Sequence, residues 1–244
     1  MNQYSITLND TVLDVYRFRY EPVDSNMYFI PLGELGLVFD PNVSEELPPL
    51  FEKFGTKRLQ IILTHEHFDH TTGVEWLQAM MEARVFCQAD CGRSISSDKG
   101  NNPKFVALVL RNKDLEDGGH RYEDFKASQK PYTLKADQTF TGKETFKVGS
   151  LVFDCYSTPG HSPGSACYIL DGKYIFTGDS LIRDTPTVTR FKTSNAETFE
   201  SVTRPFLQSL DKNMLVFPGH GEPFKIFEAK YLYLKFESSK LKMQ

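Results

Sequence analysis

The chain has 244 residues, 40% hydrophobic and 25% charged, a balance that excludes a disordered chain and allows a sizeable buried core. Its net charge is −4 with both signs interleaved and no Lys/Arg cluster, which argues against a nucleic-acid binder. No apolar run approaches the roughly 18 to 20 residues that span a bilayer, and Met1–Ser5 lacks the basic stretch and apolar core of a secretion signal, so a soluble cytoplasmic protein is expected.

In chain order, the first forty residues read as short strands. Thr11–Phe18 and Asn26–Leu32 are rich in Val, Tyr, Phe and Ile, and Gly36–Phe39 ends at the breaker Asp40-Pro41-Asn42. Residues 44 to 55 carry Leu47, Leu50, Phe51 and Phe54 at helical spacing. Leu59–Leu63 has the length and apolar content of a buried strand and empties into Thr64-His65-Glu66-His67-Phe68-Asp69-His70. A helix follows, with Thr72 and Glu75 in the form of a capping box and Val74, Leu77 and Met81 on one face. Arg84–Gln88 is a short strand. The more polar stretch from about 89 to 130, with turn signals at Asn101-Asn102-Pro103 and Asp117-Gly118-Gly119, reads as an insertion of helices and loops in which Phe105–Leu110 is a buried helix. Strands return at Tyr132–Phe140, Glu144–Ser157, Ala166–Leu170 and Lys173–Thr177, with Asp171-Gly172 as a hairpin turn. Asn195–Leu210 is helical, Met214–Phe217 a strand, and residues 226 to 236 lean helical. Strands then helices, twice over, predict two similar halves packed as layers with the sheets inside. Cys87, Cys91, Cys155 and Cys167 form no C-x-x-C pair and read as reduced core thiols.

Histidine carries the most information. In extended chain, side chains two apart point the same way, so His65 and His67 face one point, and Asp69 follows if the backbone stays extended. His70 projects differently and can reach a second ion beside the first, at the separation of about 3.5–4 Å common to dinuclear hydrolytic sites. Three more segments end strands with a ligand-type side chain beside glycine: Thr158-Pro159-Gly160-His161, Phe176-Thr177-Gly178-Asp179 and Val216-Phe217-Pro218-Gly219-His220-Gly221. Neutral imidazole is the commonest metal ligand and is available at pH 7. His120, the remaining histidine, lies in a Gly-Gly turn that reads as exposed.

H-x-H-x-D-H, then P-G-H, then G-D, then P-G-H-G, in this order, resembles the motif series of the metallo-β-lactamase superfamily, its glyoxalase II-like members most of all, over about residues 25 to 225. The resemblance implies an α/β fold of four layers, an αββα sandwich, as a single domain spanning 1–244 with the 89–130 insertion. It assigns His65, His67 and His161 to a first metal and Asp69, His70 and His220 to a second, with Asp179 bridging both. Asp40 matches a family position that braces the metal loop, with Thr64 beside it. Leu181–Pro186 stands where glyoxalase II has G-x-G-R-x-D. His67 differs from the Glu of flavin-linked diiron members, and His70 from the Cys or Arg of one group of β-lactamases.

The implied cofactor is two divalent ions, zinc first, with iron or manganese as other choices. Such ions lower the pKa of water to about 7 and provide hydroxide at neutral pH. Two divalent ions less Asp69, Asp179 and a hydroxide leave about one positive charge, which favours a small anionic substrate: a thioester, an ester or lactone, or a phosphodiester. Asp69 is placed to orient the nucleophile and take its proton. Arg183, Arg190 and Lys192, after Asp179, are candidate anion contacts, and His120 a candidate substrate contact. Two other readings compete. One is a mononuclear Fe(II) enzyme similar to persulfide dioxygenases, using His65, His161 and Asp179. The other is a non-catalytic metal-binding relative.

Overall fold

The computed structural model describes residues 1–97 and 103–234, apart from the side chain of Phe105; the Asn101-Asn102 turn and the end of the 226–236 segment lie outside them. Two sheets carry the fold. The first has seven strands in sequence order: β1 (Asn2–Leu8), β2 (Thr11–Tyr20), β3 (Ser25–Leu32), β4 (Leu35–Phe39), β5 (Arg58–Ile62), β6 (Glu82–Gln88) and β7 (Gln138–Phe140). Pairing is antiparallel from β1 to β4 and parallel from β4 to β7. The second sheet holds β8 (Lys143–Val148), β9 (Leu151–Ser157), β10 (Ala166–Leu170), β11 (Tyr174–Gly178), β12 (Leu215–Pro218) and β13 (Phe224–Lys225), also side by side, with one parallel pair, β11–β12.

Alternation along the strands builds the layers. In β4, Leu37 and Phe39 point into the core between the sheets, and Val38 points the other way into a core shared with Leu50 and Phe51 of helix α1 (Pro48–Phe54), Leu77 of α2 (Val74–Met80) and Cys91 and Ile95 of α3 (Ala89–Ile95). In β10, Tyr168 and Leu170 face the inter-sheet core, whereas Cys167 and Ile169 face outward. Their outer core includes Leu207 of a helical stretch formed by α6 (Ala196–Thr198), a π turn (Phe199–Thr203) and α7 (Arg204–Ser209). The result is a four-layer αββα sandwich. Its centre is aromatic: Phe39 and Phe176 stack at 3.9 Å, and Phe86 and Phe146 at 3.7 Å, across the two sheets. All four cysteines are buried and free.

Several expectations need correction. Helix α2 starts at Val74 with Gly73 as its cap, and Thr72 makes no capping hydrogen bond. Gly73 donates to the Pro41 carbonyl at 2.8 Å and packs so closely on Asn42 that this contact, not a side-chain cap, fixes where the helix begins. The Glu144–Ser157 run is two strands, split where Gly149 at φ +58° permits a reversal. Of Tyr132–Phe140, only Gln138–Phe140 is strand. Asn2–Leu8 is an additional edge strand, and Ile226–Glu228 is one 3-10 turn, not a long helix. The Asp171-Gly172 turn has φ of 55° and 61°, both left-handed, and Lys173 N–H closes it on the Leu170 carbonyl at 3.2 Å before Tyr174 pairs with Leu170. Between α3 and β7, helices α4 (Lys104–Asp117) and α5 (Arg121–Ser128) contribute Val106, Ala107, Leu110 and Phe125 to a small core around Phe68. Leu108 and Val109 of the same run are exposed. No helix among the described residues is long and apolar enough to cross a membrane.

Candidate metal centre

Every ligand-type residue singled out above, except His120, sits just beyond a strand's carboxyl end, where the parallel pairs of an α/β sheet leave a crevice. His65, His67, Asp69 and His70 follow β5; His161 follows β9; Asp179 follows β11; His220 follows β12. The two sheets meet beneath them: Ala166 N–H donates to the Thr64 carbonyl at 2.8 Å, and the Tyr168 hydroxyl to the Leu63 carbonyl at 2.8 Å. Three groups of three potential ligands result: Asp40–His65–His70, in which Asp40 is already hydrogen-bonded to His70, and the pair His65–His67–His161 and Asp69–His70–His220. Asp179 lies between the last two. Its Oδ1 is 3.5 Å from His70 Nε2, and its Oδ2 is 3.5 Å from both His161 Nε2 and His220 Nε2. Asp69 Oδ2 stands 3.4 Å from His70 Nε2 and 3.5 Å from His220 Nε2.

Outer partners settle which nitrogen of each ring faces the cluster. Asp40 carboxylate accepts from Thr64 N–H at 2.7 Å, from the Thr64 hydroxyl at 2.6 Å and from His70 Nδ1–H at 3.0 Å. Thr64 has then spent its only hydroxyl hydrogen, so it accepts from His65 Nδ1–H at 3.1 Å. His161 Nδ1–H donates to the Val188 carbonyl at 2.9 Å, and His220 Nδ1–H to the Val23 carbonyl at 3.2 Å. Four rings therefore aim Nε2 inward; in His65 and His161, which burial keeps neutral, the hydrogen bond made by the other nitrogen also fixes the tautomer that leaves Nε2 bare. Asp40 reaches its partners through a left-handed backbone at φ +47°, which Asp tolerates better than most residues.

Bare atoms crowd here in a way that calls for a cation. His65 Nε2, His70 Nε2 and Asp179 Oδ1 are buried with no hydrogen-bond partner among the described residues. His161 Nε2 lies 3.0 Å from His67 Nδ1, a gap that needs a proton or a metal. The charges fall into two kinds. Burial pushes the pKa values of His65, His67 and His161 down and keeps those rings neutral. Burial also opposes charge on His70, but Asp69, Asp179 and Asp40 outweigh it and raise its pKa to about 10. His220 is raised in the same way by Asp179 and Asp69 against its burial. Burial works against the Asp179 carboxylate too, yet His220 and His70 hold it well below the usual range. Three neutral nitrogens with a carboxylate edge, beside two imidazoles and two carboxylates, form a donor set that fits divalent zinc or iron.

Several supports were invisible in the sequence. The β2–β3 hairpin grips the Pro218–Gly221 turn: Asn26 Nδ2 donates to the Pro218 and Gly221 carbonyls at 2.9 and 2.8 Å, the Tyr28 hydroxyl to Pro218 at 2.7 Å, and the buried Arg17 to Gly221 at 2.7 Å. Ser25 Oγ donates to the Asp69 carbonyl at 3.0 Å. Phe191 sets its ring edge-on to His67 and His161, centroids 5.6 and 5.9 Å away. No local pattern marks these residues, because each acts on a loop far away in the chain. Of the candidate substrate contacts, Arg190 and Lys192 are exposed on either side of Phe191. Arg183 is paired with Asp184 at 2.8 Å. His120 is exposed ahead of α5 and belongs to none of the ligand groups.

No protein-family model matches the chain. It is 26% identical over 202 residues to the probable metallo-hydrolase YqgX of Bacillus subtilis, covering 82% of this chain and 86% of that protein. It is 23% identical over 212 residues to the human mitochondrial persulfide dioxygenase ETHE1, covering 84% and 67%. Among solved structures, the BLEG-1 B3 metallo-β-lactamase superposes with a TM-score of 0.67 at 22% identity, over 90% of this chain and 99% of that one. The fold is that of the metallo-β-lactamases, and the resemblance read from the motifs holds.

Proposed function

We propose that this chain, with its metallo-β-lactamase fold, is a metal-dependent hydrolase that holds two divalent ions, zinc by preference. His65, His67 and His161 would hold the first, Asp69, His70 and His220 the second, and Asp179 would bind both. The observation that carries the reading is the convergence of seven ligand-type side chains from four loops, with bare nitrogens and a bare carboxylate oxygen buried between them. Similarity to a protein named as a probable metallo-hydrolase supports it.

Bound zinc would supply a water of lowered pKa and a Lewis acid. The protein's own residues do the rest. Asp40 and the carbonyls of Val23 and Val188 hold imidazoles in the tautomer that offers Nε2. Asp69, within reach of both His70 and His220, would hold that water by a carboxylate oxygen and take its proton. His220 is the most exposed of the clustered histidines, with 24% of its side chain accessible, so substrate enters over the second group. Arg190 and Lys192 flank Phe191 and would attract an anionic substrate, while the Phe191 ring walls off the first group. Thioester, ester or lactone, and phosphodiester are the bond classes to assay.

Retention of His67, His70 and His220 favours the dinuclear reading over the mononuclear iron one, which needs only His65, His161 and Asp179. Metal analysis of protein purified without added metal separates them. Two zinc per chain, with hydrolysis that a chelator abolishes and zinc restores, is expected. One iron per chain with oxygen uptake on a persulfide would overturn the proposal.

A further inference from the structure

The residue between the first two histidines is a glutamate, and it is buried, with 4% of its surface accessible. Its side chain does not join His65 and His67. It runs instead to the turn that carries His161 in the other half of the fold. Ser162 Oγ donates to Glu66 Oε2 at 2.9 Å, and the Gly164 backbone packs closely against the same oxygen. Ser162 is in turn braced by Ser165, whose Oγ lies 3.1 Å from Ser162 N and 2.9 Å from Ser162 Oγ. The approach is close: a Cβ on residue 164 would overlap Glu66 Oε2 and the backbone of Cys91.

Burying a carboxylate is costly unless donors or a cation compensate it. Here burial and the Asp90 carboxylate oppose the charge, and only neutral donors support it. A surface-facing residue at this position would avoid that cost, since the chain needs nothing at 66 to form the H-x-H pattern itself. What the carboxylate does have is a position one residue from two ligands and a hydrogen bond to the neighbour of the third. It spans the seam between the halves at the three-histidine group.

We propose that Glu66 is a positioning residue for the first metal. Through Ser162 and Gly164 it locks the His161 turn against the His65–His67 segment, and so sets the spacing of the three imidazoles. The inference rests on the reading that these three histidines hold one cation. It differs from the brace made by Asp40, which touches His70 and Thr64 within the first half alone.

Single-site backgrounds test it. His220→Ala leaves only the three-histidine site intact, and His161→Ala leaves only the Asp69–His70–His220 site. In each, zinc affinity is measured by competition with a chelating dye, with and without Ser162→Ala. The expected result is at least a tenfold weaker dissociation constant in the His220→Ala background and a change of less than twofold in the His161→Ala background. Glu66→Ala should match Ser162→Ala, and Glu66→Gln, which keeps an oxygen to accept from Ser162 and to pack on Gly164, should restore most of the affinity. A merely structural role predicts equal loss in both backgrounds, and either that or no loss in the first overturns the inference. Ser162→Ala decides the matter if Glu66→Ala does not fold. Failure of the parent reading looks different: the wild-type chain would take up no zinc at all, and the inference would go with it.

Discussion

Loading the two halves of the site should release protons unequally. In the metal-free protein His65, His67 and His161 are neutral because they are buried, so a cation meets three ready lone pairs. His70 is different: Asp69, Asp179 and Asp40 overcome its burial and hold its pKa at about 10. At pH 7 such a group is about 99.9% protonated, and stripping the proton costs roughly 4 kcal/mol at 1.36 kcal/mol per pKa unit. The second site's zinc affinity should therefore lie about a thousandfold below its alkaline limit at pH 7. It should climb about tenfold per pH unit towards pH 10, and more steeply where His220 also titrates. The first site should show little histidine-linked dependence above pH 7. Calorimetric titration of zinc in two buffers of different ionisation enthalpy counts the protons directly. The His161→Ala protein, which keeps the second site, should release about one more proton per zinc at pH 7 than the His220→Ala protein. Asp40→Asn removes the carboxylate that accepts from His70 Nδ1–H and should reduce that excess. Equal proton counts from the two single-site proteins would refute the charge assignment.

The same shifts govern the stability of the metal-free fold. Lowered histidine pKa values make stability fall as pH drops below about 6.5, because the unfolded chain takes up protons that the buried rings refuse, whereas the raised His70 makes stability fall as pH rises from about 6.5 towards 10. Chelator-treated protein should thus melt highest near pH 6.5, and a melting temperature that rises steadily to pH 9 would contradict it. Gly219→Ala places a methyl against Asp179 Oδ1 and the His70 ring, and should cut zinc binding at least tenfold while circular dichroism stays native. Asn26→Ala removes two hydrogen bonds, to the Pro218 and Gly221 carbonyls that Tyr28 and Arg17 still reach, and should cost about 1–3 kcal/mol in denaturant unfolding, with the second ion weakened more than the first.

Each proposed ligand is announced locally: His65, His67, Asp69 and His70 by their clustering after an apolar strand, and His161, Asp179 and His220 by a strand's end beside glycine. Asp40 and Thr64 were legible only through the family resemblance. The layered fold followed from apolar runs such as Leu59–Leu63, whose burial on both faces implies a central parallel strand. What escaped was non-local. Arg17 reads as one charged residue in an alternating strand, and only the turn 204 residues later makes it a buried donor. Glu66 looks like a spacer between histidines until the Ser162 turn is placed against it. The Thr72–Glu75 capping pattern misled because Gly73 is pinned to Pro41 and Asn42, a contact that no helix-start rule contains.

The order in which the chain supplies its ligands has a consequence for biogenesis. In the proposed assignment, a nascent chain exposing residues up to 70 has offered four of the seven groups, yet the three-histidine set closes only at His161 and the other only at His220. Since the later residues sit in the second sheet, neither ion is captured until the two sheets have docked. Metal uptake would then follow tertiary assembly, and a ribosome-stalled fragment ending before residue 161 should hold zinc no better than an unfolded peptide.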